Sequence, residues 1–109
     1  MVEDHEDLRD AIVESLEHAG WAVRAYDRAE DALLSVRREL PDVVLTDFNA
    51  GPLSELRFDP STRGVPIVGM SGTLIPTTGM LRFFDLFLPK PIALAELDAL
   101  LRRAIGGGG

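Results

Sequence analysis

The sequence predicts an α/β fold, a three-layer sandwich in which helices cover both faces of a parallel β-sheet. Helical segments alternate along the chain with short apolar strands, the pattern of strands joined by crossover helices. One of these strands, in residues 42–46, is continuously apolar at Val43, Val44 and Leu45, as in strands buried on both faces. The 109 residues suffice for one domain with a real core. We assign residues 1–105 to that domain and residues 106–109 to a glycine tail.

The first element is a predicted helix over residues 5–19. Leu8, Ile12 and Leu16 recur at helical spacing and form its apolar face. Gly20 follows directly and supplies the left-handed residue with which many helices end.

The next three elements are a strand, a helix and a second strand. Residues 21–26, "WAVRAY", alternate and are rich in strand-forming residues. A helix over residues 28–39 follows, opened by an Asp-x-x-Glu capping pair formed by Asp27 and Glu30. The apolar strand of residues 42–46 comes next.

The second half of the chain is less regular. Residues 53–58 allow little more than one and a half helical turns, and residues 73–83 contain Pro76 and Gly79, so any helix there is short. Strands are predicted at residues 66–70 and 84–88. Leucines at helical spacing predict a final helix that begins at Leu94 and ends at Ile105.

Composition excludes several classes of function. The net charge of −7 argues against a nucleic-acid-binding face. There is no cysteine, so disulfides and thiolate metal sites are excluded. No apolar run reaches membrane-spanning length, and the acidic N-terminus does not resemble a signal peptide. We therefore expect a cytoplasmic protein with no membrane association.

Polar residues follow the predicted strands, at the edge where parallel sheets form their functional sites. These residues are Glu3, Asp4, Asp47, Ser71 and Lys90. Three carboxylates at one edge would repel each other, and a hard divalent cation such as Mg²⁺ resolves the conflict. Lys90 is the sole lysine beside ten arginines, which favours a site that needs a compact ammonium. A cation and a hydroxyl donor together suit the oxygens of a phosphoryl group.

These motifs, in this order, resemble the receiver domain of two-component response regulators. The motifs are "VED" at the start, "VVLTD" in the middle, "GMSG" after the next strand and "LFLPKP" near the end. The resemblance covers nearly the whole chain. It implies a flavodoxin-like topology with strand order 2-1-3-4-5.

The resemblance also implies a role for each site residue. Asp47 would accept a phosphoryl group from the phosphohistidine of a histidine kinase or phosphotransfer protein. Mg²⁺ or Mn²⁺ would be held by Asp4 and Asp47 directly, by Glu3 through water, and by the backbone carbonyl of Asn49.

Three further positions receive roles from the family. Ser71 and Lys90 would contact phosphoryl oxygens, and Phe87 would be the switch aromatic that couples to Ser71. A cis peptide bond between Lys90 and Pro91 is implied as well. Phosphorylation would then alter a surface read by a downstream target or output domain, and dimerisation through the last helix and strand is left open.

The chain departs from the family in three places. The first strand is reduced to Met1 and Val2, through a start site placed too late, a trimmed chain or a divergent protein. Two neighbouring strands then lose ladder partners, so we expect low stability or association. The third and fourth helices are shortened.

Two other functions compete with the phosphoacceptor. A degenerate pseudo-receiver would keep the fold and act as a binding module without phosphate. A phosphatase of the haloacid-dehalogenase type also uses a strand-end aspartate, a Ser or Thr, a lysine and Mg²⁺. It needs a second aspartate as general acid two residues later, where this chain has Asn49. We therefore expect a phosphoacceptor and not an enzyme.

Overall fold

The computed structural model describes residues 1–47, 53, 55–71 and 84–106, without the side chain of Ser71. The predicted short helix in residues 73–83 lies outside these ranges.

The core of the molecule is a parallel sheet. Its strands are β1 (Val44–Asp47), β2 (Ile67–Ser71) and β3 (Leu86–Pro89), and they lie side by side in the order β1-β2-β3. Both strand pairs are parallel, as the alternation of strands and helices predicts.

Val2 extends this sheet by one residue on the far side of β1. It forms parallel bridges to Tyr26 on one side and to Thr46 on the other. The Val2 N–H donates to the Leu45 carbonyl at 2.7 Å, and the Asp47 N–H donates to the Val2 carbonyl at 3.0 Å. The spatial order is therefore Tyr26, Val2, β1, β2, β3, which is the predicted 2-1-3-4-5 order with a first strand reduced to a stub.

Four helices are found among the described residues: α1 (Glu6–His18), α2 (Ala29–Arg38), α3 (Glu55–Phe58) and α4 (Leu94–Gly106). The third is a single turn, short as predicted but less than the one and a half turns expected. The last continues through Gly106, one residue into the predicted tail.

Gly20 ends α1 as the sequence predicts. Its φ of 100° lies in the left-handed region, which costs glycine little. The Gly20 N–H donates to the Glu17 carbonyl and the Trp21 N–H to the Leu16 carbonyl, the two bonds of a Schellman motif.

Two apolar layers enclose the sheet. Alternate residues of a strand point to opposite faces, so Val44 and Ile67 face one layer while Leu45 and Val68 face the other. The first layer packs α2 and α3, and the second packs α1 and α4. The buried residues of these helices are Ile12, Leu16, Ala29, Ala32, Leu33, Val36, Leu56, Leu97 and Leu101. The three-layer prediction is confirmed.

Residues 21–26 do not form the predicted strand. Only Tyr26 makes a bridge, and it makes it to Val2. The reason is that a strand needs a partner along its length, and the stub at Val2 supplies one residue. Composition favours an extended conformation here, but among the described residues only Val2 bridges to this segment.

The predicted capping pair at the start of α2 is also wrong. The N-cap residue is Arg28, and no side chain caps the helix. Asp27 lies one residue too early for that position. Glu30 instead accepts a hydrogen bond from Arg28 Nε at 3.4 Å.

The strand β3 begins two residues later than predicted, because Asp85 accepts a hydrogen bond from β2 with its side chain. Its Oδ2 accepts hydrogen bonds from the Ile67 N–H at 2.7 Å and from Arg57 Nη2 at 2.5 Å. Its own N–H donates to the Ile67 carbonyl at 2.8 Å. Asp85 thus fastens the start of β2 to the segment before β3.

None of the helices within the described ranges is both long enough and apolar enough to cross a lipid bilayer.

A cluster outside the sheet ties residue 21 to α4. Trp21 Nε1 donates to Asp98 Oδ1 at 2.7 Å, and Arg102 Nε donates to the same oxygen at 2.8 Å. The Arg102 guanidinium lies 5.3 Å from the centre of the Trp21 ring, within cation–π range. The bond from Trp21 is the largest cause that lowers the pKa of Asp98; desolvation opposes it, and the contact with Arg102 lowers the pKa further.

We predict that Gly69→Ala destabilises the protein by about 1–3 kcal/mol, because the added carbon overpacks the core. A Cβ at Gly69 would lie 2.8 Å from Cδ1 of Phe84. The free energy of unfolding in urea tests this. Gly64→Ala is the matched control, since a Cβ there meets nothing within 4 Å, and its stability should stay the same or rise. Equal stability of both variants would contradict the prediction.

We predict that Asp98→Asn makes the free energy of unfolding less dependent on pH in the acidic range. Since the folded-state pKa of Asp98 lies below its ordinary 3.8, the ionised carboxylate stabilises the fold above that pH. This contribution is lost as the pH falls from 3.8 through the lowered pKa. Asp98→Asn should therefore be less stable than wild type at neutral pH and lose less stability on acidification, measured by circular dichroism. Trp21→Phe should show part of the same effect; parallel pH profiles for all three proteins would refute it.

Candidate functional site

The residues singled out at the strand ends follow one another along one edge of the sheet. Val2 pairs with Thr46, so Glu3 and Asp47 are the next residues on two adjacent strands. Asp47 is 7% exposed and is the last residue of β1. A carboxylate therefore ends a strand that is buried along its whole length.

The series continues across β2 and β3. Asp47 pairs with Met70, and Ser71 pairs with Pro89. Lys90 is the residue after Pro89. The register thus places the backbones of Glu3, Asp47, Ser71 and Lys90 on one edge of the sheet, after Val2 and at the carboxyl ends of β1, β2 and β3, because parallel strands end on the same edge.

A direct contact joins the two ends of this series. Lys90 Nζ donates to Glu3 Oε1 at 2.7 Å, although 87 residues separate them in the chain. The Glu3 side chain is 0% exposed and that of Lys90 is 25% exposed. A charge this deeply buried needs a partner, and the sole lysine supplies it.

Two further contacts fix Glu3 in place. Its Oε2 accepts the backbone N–H of His5 at 3.4 Å. Its backbone carbonyl accepts a hydrogen bond from Arg9 Nη1 at 3.0 Å. The Glu3 carboxylate is thus held by the Lys90 side chain, which follows β3, and by the His5 backbone, which precedes α1.

Asp4 lies on the solvent side of this pair and is 61% exposed. Hydrogen bonding with the Glu3 side chain, and then contact with His5, lower the pKa of Asp4, with some opposition from desolvation. The His5 Nδ1 lies 3.4 Å from Asp4 Oδ1.

Glu3, Asp4 and His5 form a cluster that could hold a cation. Each offers one ligand atom, and these atoms lie within 4.8 Å of one another. The carboxylate oxygens of Glu3 and Asp4 are the hard ligands that Mg²⁺ prefers, so these two residues fit the predicted cation. The residues that the sequence predicts for the site do not include His5. It is 80% exposed, and its position directly after the acidic pair was the signal that it adjoins the site.

The remaining predicted residues are placed in part. Phe87 packs edge-to-face on Phe84, with ring centres 5.5 Å apart. The peptide bond between Lys90 and Pro91 is cis, as the resemblance implies. Asn49 lies outside the described residues, and for Ser71 only the backbone is described.

We predict that Lys90→Met destabilises the protein by about 2–3 kcal/mol, because it leaves the buried Glu3 carboxylate without its partner. Adding Glu3→Gln to that variant should restore part of the loss, since the unpaired charge is then removed. Urea unfolding of wild type, both single variants and the double variant gives the coupling energy. Additive effects in this cycle would show that the contact contributes nothing.

Comparisons with known proteins agree with this geometry. No protein-family model matches the chain. The uncharacterized transcriptional regulatory protein YrkP of Bacillus subtilis (strain 168) is 34% identical over 105 residues, which cover 91% of this chain and 45% of YrkP. The chain spans less than half the length of either curated relative that it matches.

Solved structures show the same architecture. The chemotaxis response regulator CheY4 of Vibrio cholerae matches with a TM-score of 0.84 and 20% identity, over 94% of this chain and 93% of that one. The receiver domain of NtrX from Brucella abortus matches with a TM-score of 0.78 and 22% identity, over 96% of this chain and 95% of that one. Its sheet order and these matches show that the chain has the fold of the receiver domains of response regulators.

Proposed function

We propose that this receiver domain is a phosphoacceptor, in which Asp47 takes a phosphoryl group from a histidine kinase or a phosphotransfer protein in the cytoplasm. The observation that carries the proposal is the contact between Glu3 and Lys90 at 2.7 Å. It brings a carboxylate and an ammonium together at the edge where β1 presents Asp47.

The reaction transfers a phosphoryl group between two side chains. A carboxylate oxygen of Asp47 attacks the phosphorus of the partner's phosphohistidine, and a P–O bond forms while the P–N bond breaks. The electron pair of the broken bond stays on the imidazole nitrogen, which takes up a proton. The product is an acyl phosphate on Asp47. Catalysis here consists of positioning and charge neutralisation.

The proposed cation is Mg²⁺ or Mn²⁺, held by Asp4 and Asp47, by Glu3 through water, and by the backbone carbonyl of Asn49. When bound, it neutralises charge on the phosphoryl oxygens. Its support in the structure is the cluster of Glu3 and Asp4 ligand atoms.

Lys90 has to exchange partners during the transfer. In the unphosphorylated protein its ammonium is held by Glu3, which keeps the amine at the edge of the sheet. A phosphoryl oxygen on Asp47 would compete with Glu3 for this ammonium, because both are anionic acceptors. The Ser71 hydroxyl is proposed to donate to a second phosphoryl oxygen.

Phosphorylation is proposed to change the protein surface near β3. Phe87 lies on this strand and contacts Phe84, so rotation of the Phe87 ring would break a defined aromatic contact. A downstream target, an output domain or a second copy would read that change.

A pseudo-receiver is the alternative function. The single turn of α3 favours it, because it reduces the fold relative to a complete receiver. A phosphatase of the haloacid-dehalogenase type is less well supported, since Asn49 replaces its general acid.

We predict that a small phosphodonor such as acetyl phosphate labels wild type once, in a manner that requires Mg²⁺, and that Asp47→Asn abolishes labelling. Lys90→Met should slow it by roughly 100-fold, since it removes one positive charge from the developing phosphoryl anion. Intact-protein mass spectrometry measures both effects.

The matched control is Asp42→Asn, which removes a carboxylate that precedes β1 and so lies at the opposite end of that strand. It should label like wild type. Unlabelled wild-type protein that is folded by circular dichroism would favour the pseudo-receiver. Continuous release of phosphate from an aryl phosphate would favour the phosphatase.

A further inference from the structure

His5 stands directly after the acidic pair and beside the proposed cation site. Its Nδ1 lies 3.4 Å from Asp4 Oδ1, and a single ligand atom from each of Glu3, Asp4 and His5 lies within 4.8 Å of the other two. Two adjacent ligands on one metal ion, each about 2.1 Å from it, are about 3.0–3.4 Å apart. The imidazole and the Asp4 carboxylate therefore already have the separation that one shared ion requires.

Backbone contacts hold His5 in this position. Its carbonyl accepts the Arg9 N–H at 2.9 Å, and its own N–H donates to Glu3 Oε2 at 3.4 Å. Arg9 Nη1 donates in turn to the Glu3 carbonyl at 3.0 Å. Residues 3–5 are thus fastened to the start of α1, which reduces the ordering that a bound ion has to impose on them.

The His5 side chain does little for the fold of the described residues. His5 is the N-cap residue of α1, but its side chain makes no capping hydrogen bond, although side chains at this position usually do. The imidazole is 80% exposed and its partner Asp4 is 61% exposed. Ion pairs this exposed contribute little to stability, so the imidazole is available to a ligand.

A neutral imidazole changes which ion the site prefers. Both oxygens of Glu3 already accept hydrogen bonds, from Lys90 Nζ at 2.7 Å and from the His5 N–H at 3.4 Å, which makes Glu3 a poor direct ligand. His5 adds a ligand without adding negative charge to the carboxylates. Mg²⁺ takes oxygen ligands, whereas an imidazole nitrogen favours the divalent ions of the first transition series.

We propose that His5 ligates the cation of this site through its imidazole, beside Asp4, and that the site consequently prefers a divalent transition-metal ion over Mg²⁺. This rests on the proposed function, because that function places the cation between Asp4 and Asp47. Either ion supports phosphoryl transfer, and His5 determines which of them occupies the site when both are present.

Isothermal titration calorimetry of the full 109-residue chain with Co²⁺ and with Mg²⁺ tests the proposal. The quantity compared is the dissociation constant of Mg²⁺ divided by that of Co²⁺. We expect His5→Gln to lower this ratio at least about tenfold by weakening Co²⁺ binding, while the affinity for Mg²⁺ stays the same. His5→Asp offers an oxygen in place of the nitrogen, so it should bind Mg²⁺ more tightly than His5→Gln does.

His18→Gln is the matched control. His18 is the only other histidine in the chain and the last residue of α1, about 20 Å from His5 along the helix, so this variant should keep the wild-type ratio. The visible absorption of bound Co²⁺ is a second readout. Loss of a nitrogen ligand weakens the ligand field, which should move the absorption bands to longer wavelength in His5→Gln but not in His18→Gln. Circular dichroism verifies that every variant is folded.

An unchanged ratio in His5→Gln, with unchanged Co²⁺ absorption, would overturn the proposal, and labelling of Asp47 by acetyl phosphate would still uphold the phosphoacceptor. Co²⁺ binding that survives Asp4→Asn would overturn it as well, because the ion would then lie elsewhere. A lower ratio in His5→Gln, together with a wild-type protein that acetyl phosphate does not label, would support His5 as a ligand and contradict the phosphoacceptor.

Discussion

The pairing of a single residue, Val2, with a neighbour on each side determines where the site lies. Its bridges to Tyr26 and Thr46 set the register of the acidic N-terminus against β1. A shift of one residue would turn Glu3 from the buried side to the other face, because side chains alternate along a strand. The position of the buried carboxylate next to the end of β1 therefore depends on two backbone contacts of one residue.

Charge balance is the second condition on this edge. Glu3 is fully buried, and a buried carboxylate is tolerated when an ion pair and hydrogen bonds satisfy it. Lys90 supplies the counter-charge from β3, while the exposed Asp4 stays in contact with water. Glu3 is thus tied into the fold by its ion pair, while Asp4 next to it is 61% exposed. The burial of Glu3 gives two adjacent carboxylates different environments.

The sequence predicts those parts of the fold that depend on local periodicity. The helices α1, α2 and α4 follow from apolar spacing, and the strands from apolar runs. It misjudges residues 21–26, because strand formation depends on a partner that is distant in the chain. It also misplaces the start of β3, since Asp85 bonds to Ile67 across the sheet. For the site, the order of strand ends predicts the convergence of Glu3 and Lys90, but not that they bind each other directly.

The positive partner in the ion pair with Glu3 is a lysine, and this has a practical consequence. Because Lys90 is the sole lysine in the chain, an amine-selective acylating reagent has one ε-amine to modify besides the α-amine of Met1. The nucleophilicity of that amine depends on whether it is held by a carboxylate or is solvated. The acylation rate of one side chain therefore reports on the state of the sheet edge, without an isotope label or an introduced chromophore.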